Sequence, residues 1–360
     1  MTKISPVAWA GATVCSVAAF LTIYCVLFTE RSADLFGTVV RDPLSGAEGI
    51  QFITPNRSES QSQDCRSSEY KYQYTELTDE ELEAEEDKPL ILYAYHETPN
   101  ARENALFFLR HGLHAQADFI FILNGETNLN ESIPDEPNIK VIQRENTCFD
   151  LGAHAEVLTK DDDELIKKYS RFILMNASIR GPFLPTWSRD CWSDALLAKI
   201  TETNKLVGMT YNCHPSRHIQ SMILGTDRTG LLALLPKINN CFPTLESAVD
   251  AEVGSTGAVA EKGYNVTALM TAFSSYSTYS TTCDHGDILY EGSYYGMTLH
   301  PYEAMFQKAN RNNAPETLKL LTEWHDGSGY ESWGVCKRAA NVRKAVRAMR
   351  RRGYDIDFGV

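Results

Sequence analysis

Hydrophobic and polar positions divide this chain into three stretches. From Val7 to Phe28 no charged residue occurs, and as a helix that run is long enough to cross a hydrocarbon core of about 30 Å. From there to Lys88 the chain is rich in Ser, Gln, Glu and Asp and has no sustained apolar period, which reads as a polar stem over 29–88. From Pro89 onward short apolar blocks return. LILYAY predicts a strand, ENALFFLRHGL a helix with an apolar stripe, DFIFIL and KVIQ two more strands, LGAHAEVL a helix and RFILMN a fourth strand. Strands alternating with helices predict βαβ units, hence an α/β fold with a mostly parallel sheet flanked by helices.

Right-handed crossovers would put the carboxyl ends of those strands along one edge, and open α/β sheets bind ligands at that edge. The residues that follow the strands are His96 and Glu97; Asn124, Gly125 and Glu126; Arg144, Glu145 and Asn146; and Asn176, Ala177 and Ser178. Any one of them could simply cap a helix or satisfy a loop. Polar residues at four successive strand ends predict a pocket. Neither G-x-G-x-x-G nor a Walker loop follows the first strand, which argues against a dinucleotide-binding oxidoreductase and a P-loop enzyme. A methyltransferase also calls for a glycine-rich first loop, and HETPNAREN has none.

Charge narrows the choice further. Lys+Arg 34 against Asp+Glu 47 leaves a net charge of -13, which repels a polyphosphate surface and makes nucleic acid a poor partner. Much of it sits in Asp79–Asp87, DEELEAEED, a solvated linker by composition. Of nine cysteines, Cys15 and Cys25 lie in the apolar run and the other seven beyond it, without a C-x-x-C. Seven cannot all pair within one chain, and which of them pair stays open.

Lys3 precedes the apolar run, while Glu30, Arg31 and Asp34 follow it. That bias favours a cytosolic tip (residues 1–28 forming tip and anchor) and a signal-anchor orientation. The competing reading is a cleaved signal peptide, but the run exceeds the usual ~7–15-residue apolar region and lacks a clear A-x-A site. Sequons at Asn56, Asn130, Asn176 and Asn265 fit a lumenal catalytic region. The expectation is a single-pass type II membrane protein of the secretory pathway, in Golgi or ER.

The blocks RENTCFDLGAH, ILMNASIRGPFLP, RHIQSMILG and AEVGST, in that order between Pro89 and Ala309, resemble the bacterial rhamnan-synthesis F family, whose members are glycosyltransferases or glycosyltransferase-like. The resemblance implies a GT-A-like (Rossmann-like) catalytic domain over 89–330, a nucleotide-sugar donor and a glycan, glycolipid or glycoprotein acceptor. The alternative is a catalytically inactive carbohydrate-binding or scaffold protein on the same fold. In the GT-A-like fold that the resemblance implies, a strand-end Asp-x-Asp would present Mn or Mg to the donor diphosphate. Here Asn176-Ala177-Ser178 stands in that place, and an amide and a hydroxyl offer only neutral oxygens to a divalent cation. Metal dependence is therefore open, with His300 in TLHPYEAMF as a metal-ligand candidate or a structural residue.

The donor-binding set implied is Glu97, Asn124, Arg144, Asn146, Asp150, Gly152, Asn176 and Ser178. Asp150 and Gly152 open a helix whose first amides could meet phosphates. Without a metal, Arg144, Arg180 or Arg217 could hold the diphosphate through a guanidinium fork. Glu252 in DAEVGST is the first choice of general base and Asp227 in LGTDRTG the second; Asp227 could equally cap the helix that follows, and Glu252 could equally be a solvated carboxylate. His218 and Gln220, alternate residues of one strand, could meet acceptor hydroxyls, or His218 could be structural. His111 and His114 have metal-like spacing without a third ligand. Lys337–Arg352 is a basic helix in the tail 331–360, with Val342, Ala345, Val346 and Met349 as a narrow apolar stripe. It could lie on anionic lipid or pack lightly on the domain.

Overall fold

The computed structural model describes residues 39–41, 48–50 and 88–351. The expected membrane span Val7–Phe28 and most of the stem lie outside these residues. Among the described residues no helix is long and apolar enough to cross a membrane. The chain divides into two compact units, Met1–Tyr74 and Thr75–Val360. In the first, β1 (Val39–Arg41) pairs antiparallel with β2 (Glu48–Ile50), a hairpin that the polar composition of the stem did not suggest.

The second unit is built on the predicted strands. β3 (Leu90–His96), β4 (Asp118–Asn124), β5 (Ile139–Arg144) and β6 (Arg171–Asn176) are parallel and stand in the order β6-β3-β4-β5. β3 and β4 are buried almost throughout, as continuous apolar strands covered on both faces must be. β5 is half-buried or exposed throughout because it lies at the sheet's edge. The sheet continues beyond β6 with β11 (Ile223–Asp227), β8 (Asn204–Gly208) and β12 (Asn265–Ala268), β11 alone running antiparallel.

Local signals set the helices. α1 (Pro99–His111) begins where Thr98 accepts from the Ala101 amide at 3.1 Å and Pro99 occupies the first turn, four residues before the apolar stripe that predicts it. α2 (Asp150–Leu158) and α3 (Lys160–Lys168) lead into β6, and α4 (Trp192–Leu197) leads towards β8. Trp192 is fully buried, donates to the Gly112 carbonyl at 2.8 Å and meets Phe108 edge-on at 5.7 Å. α5 (Arg228–Ile238) and α6 (Leu245–Glu261) follow β11, and α6 carries a Thr244–Ser247 capping box.

The last helix holds the basic tail against the domain. After the short helices α7 (Thr271–Ser275), α8 (Tyr279–Thr282) and α9 (Pro301–Ala304) come α10 (Pro315–Gly327) and α11 (Ser332–Arg351). Ser332, Val335, Cys336, Ala340 and Ala348 are its buried residues, Cys336 is disulfide-bonded to Cys191 beside α4, and Arg343 pairs with Asp194. The expected stripe of Val342, Ala345, Val346 and Met349 is only partly covered or exposed, because the disulfide rotates a different face inward.

Candidate functional site

The chain runs outward through β3, β4 and β5 and then returns to place β6 on the other side of β3. Carboxyl ends of neighbouring strands part company at such a reversal, and the crevice that opens there is where α/β sheets take ligands. A cleft of about 530 Å³ occupies that position. The ends of β3 to β6 form its floor, α6 one wall, and the segment from Lys308 to Arg311 another. Two further features hold the rim. Cys148 and Cys241 are joined by a disulfide, and the Phe149 amide donates to the Phe242 carbonyl at 3.1 Å.

Nine of the residues singled out in the sequence line this cleft: His96, Asn124, Asn146, Asp150, Asn176, Ala177, Ser178, Gln220 and Glu252. The Asn176 side chain donates to Asp150, at the first position of α2, and its carbonyl oxygen accepts from the Ser178 amide at 3.0 Å and from the Ser178 hydroxyl. From α1, Asn104 donates to the Ala177 carbonyl at 2.9 Å and clamps this turn from behind. Glu252 accepts from the Ser221 amide at 2.7 Å, which orients one carboxylate oxygen and leaves the other as an acceptor for the cleft. Gln220 reaches Thr210 at 2.8 Å and Asp287 at 3.3 Å.

Other candidates are placed elsewhere, each for a visible reason. Asp227 pairs with Arg171 at the opposite edge of the sheet, caps α5 through the Gly230 amide at 2.8 Å and bonds Lys205 at 2.6 Å; the antiparallel run of β11 carries it away from the cleft. Arg144 is taken by Glu156 and by Asn124 Oδ1 at 2.6 Å. Arg180 is buried against Asn104 at 2.9 Å and Glu103 at 2.7 Å, and Arg217 donates to the Cys283 carbonyl at 3.0 Å. Gly152 lies within α2, where a Cβ would stand 2.5 Å from the Asn240 carbonyl oxygen; it serves close packing. His218 bonds the Ser216 carbonyl at 2.7 Å and does not share the cleft with Gln220, because β10 is only His218–Ile219, paired with β9 (Tyr211–Asn212), and the chain leaves the strand before Gln220. His300 caps α9 through the Tyr302 amide at 3.1 Å.

Glu97 sits beside the cleft rather than in its lining. It accepts from Arg102 at 2.7 and 2.9 Å, from Thr127 at 2.6 Å and from the Tyr95 hydroxyl at 2.8 Å. The Arg102 guanidinium, aided by those two hydroxyls and opposed by burial, holds its carboxyl at about 2. A carboxyl depressed in the folded state stabilises the fold above its unfolded pKa and loses that contribution as pH falls towards its folded value. Acid unfolding should therefore show a component between about pH 4.5 and 2 that Glu97→Gln removes; an unchanged stability-versus-pH curve would rule this role out.

The histidines of HGLH do not act together. His111 bonds Asp326 at 2.5 Å and the Tyr330 carbonyl at 2.9 Å, while His114 is buried against Ser193 at 3.1 Å, and burial pushes it down to about 3. His114 does approach Cys191 and Cys336, but those two sulfurs form a disulfide.

Two cations of the cleft, Lys308 and Arg311, carry no signal in the sequence. Lys308 lies on β13 (Gln307–Lys308), which pairs with β7 (Ile179–Arg180) across more than a hundred residues. Its ammonium donates to Ser178 at 2.8 Å. Arg311 pairs with Asp287 and lies over the Tyr290 ring at 4.8 Å.

Three disulfides occur among the described residues, Cys148–Cys241, Cys191–Cys336 and Cys213–Cys283. Asn130 and Asn265 are exposed, whereas Asn176 is enclosed by Asp150 and Ser178. After expression in a secretory host, peptide mapping should find glycan on Asn130 and Asn265 and none on Asn176. A glycan on Asn176 would take that residue out of the cleft.

No family model matches this chain. No curated protein matches it either, so the likeness to the rhamnan-synthesis F family rests on the four sequence blocks alone. Among solved structures, a mannosyltransferase from Pyrobaculum calidifontis in complex with GDP-Man and Mn2+ is similar, with a TM-score of 0.33 and 14% identity over 50% of this chain and 55% of that one. This chain thus spans about half the length of that neighbour. A superposition so loose leaves the activity to be argued from the cleft.

A divalent cation held at the end of β6, as the resemblance would require, can be tested on the residues present. Both oxygens at Asn176 and Ser178 are neutral and already bonded, to each other and to Lys308. Among the described residues no trio of acidic, histidine or cysteine ligand atoms converges in the cleft. An ammonium in contact with the turn further opposes a second positive ion. The donor set does not fit a divalent cation.

Proposed function

We propose that the protein is a glycosyltransferase with a GT-A-like domain, moving a hexosyl or deoxyhexosyl group from a nucleotide sugar to a hydroxyl of a glycan, glycolipid or glycoprotein. The observation that carries this reading is the cleft at the strand reversal, which combines amides, two carboxylates and two cations in one concave site. Amides and carboxylates suit sugar and ribose hydroxyls, and the cations suit a diphosphate. Glu252 suits the base of an inverting transfer. As the acceptor oxygen bonds the anomeric carbon, its proton passes to the carboxylate and the nucleoside diphosphate departs with the electron pair of the broken bond.

In this reading the catalytic unit is lumenal and tethered through Val7–Phe28, in Golgi or ER. Three disulfides support an oxidising compartment, as do the exposed sequons. A second reading, a carbohydrate-binding scaffold without turnover, draws on Asn176 and Ser178 standing where metal-binding carboxylates would be. Full-length protein incubated with a panel of nucleotide sugars, with and without Mn²⁺, separates the two. One donor should release free nucleotide and raise the melting temperature; silence in both readouts contradicts the transferase and favours the scaffold.

A further inference from the structure

We infer that Lys308, supported by Arg311, is the countercharge for the donor diphosphate, occupying the role a divalent cation would fill if Asn176 and Ser178 were carboxylates. The inference rests on the glycosyltransferase reading and specifies the cation of its donor site. Its first support is where the ammonium sits. Lys308 Nζ lies 2.8 Å from Ser178 Oγ, on the second residue of the pair after β6, and lines the cleft with Arg311.

The placement is built into the backbone. Lys308 is paired antiparallel with Ile179, the Ala309 amide donates to the Ser178 carbonyl at 2.9 Å, and Asn100 of α1 donates to the Ala309 carbonyl at 3.0 Å. A cation fixed by strand pairing pays little to reorganise when charge develops near it.

The surroundings act on that charge in both directions. Burial and the Arg311 guanidinium push the Lys308 amine below its ordinary range, while the Asp150, Glu252 and Asp287 carboxylates oppose the shift. Asp150 already accepts from Asn176, Glu252 from Ser221 and Asp287 from Arg311. These bonds temper their repulsion of an incoming anion. As the sugar leaves, negative charge builds on the departing diphosphate, and a fixed ammonium stabilises it without a metal.

The test is calorimetric titration of full-length protein in detergent with inorganic pyrophosphate, in EDTA and again in Mn²⁺. Binding in EDTA, weakened about 10- to 100-fold by Lys308→Gln and largely kept by Lys308→Arg, is the expected result. Melting curves of each variant establish that it is folded, and the comparison of EDTA with Mn²⁺ in the unmodified protein needs no variant. Binding that appears only with Mn²⁺, or a folded Lys308→Gln that binds as well as the unmodified protein, overturns the inference. Donor turnover that requires Mn²⁺ and ignores Lys308→Gln would overturn it too, while leaving the transferase reading intact. Lys308-dependent pyrophosphate binding without turnover of any donor would do the reverse.

Discussion

Glu252→Gln should lower turnover by about 10²- to 10⁴-fold, the range that a positioned general base supplies, with little change in donor affinity or melting temperature. Glutamine keeps the size of the side chain and an oxygen able to accept from the Ser221 amide, so α6 and the cleft wall should survive. What it cannot do is take a proton. The effect should therefore appear in kcat far more than in KM for the donor. A parallel Asp227→Asn should leave kcat within about twofold and cost about 1 kcal/mol or less of stability, because Asp227 caps α5 at the far edge of the sheet. Steady-state nucleotide release checks both. Equal losses in the two variants would remove Glu252 from its assigned role.

Replacing the Cys148–Cys241 pair by serines should destabilise the protein by about 4–5 kcal/mol, the loop-closure entropy of a bridge across this span. The two cysteines are 93 residues apart. For a domain of this size that is a fall of about 10 °C or more in melting temperature. The Cys191–Cys336 bridge spans 145 residues, so its removal should cost a similar amount. The two should differ in function. Cys148 borders the cleft, and its partner brings Phe242 and Pro243 to the same rim, whereas Cys191–Cys336 ties α11 to the segment before α4. Loss of the first should also weaken donor binding at a temperature where the protein is still folded; loss of the second should not. Scanning calorimetry and donor titration of the two double variants decide it, and a melting temperature within about 2 °C of the unmodified protein would contradict the account of the bridges.

What could be read in the sequence follows from the range of each signal. Strands β3, β4 and β6 are continuous apolar runs, and the polar residues after them announced the edge at which His96, Asn124, Asn176 and Ser178 meet. Those signals are local. Lys308 and Arg311 arrive through β13, a two-residue strand whose pairing with β7 is set by contacts far away in the chain, and two residues carry no period. The arginines misled for the same reason. Arg144 and Arg180 have the chemistry for phosphate, but their carboxylate partners Glu156 and Glu103 stand on neighbouring helices, and nothing in the sequence shows that those helices bring them within reach. His218 was assigned to the face of Gln220 on a strand that proves too short to keep both residues in register.

A crystal structure of the protein with the nucleotide sugar that it turns over decides whether this cleft holds an activated sugar phosphate. The diphosphate should lie beside Ser178 and Lys308, with the anomeric carbon facing Glu252. A nucleotide bound elsewhere, with the ends of β3 to β6 left to solvent, would contradict it.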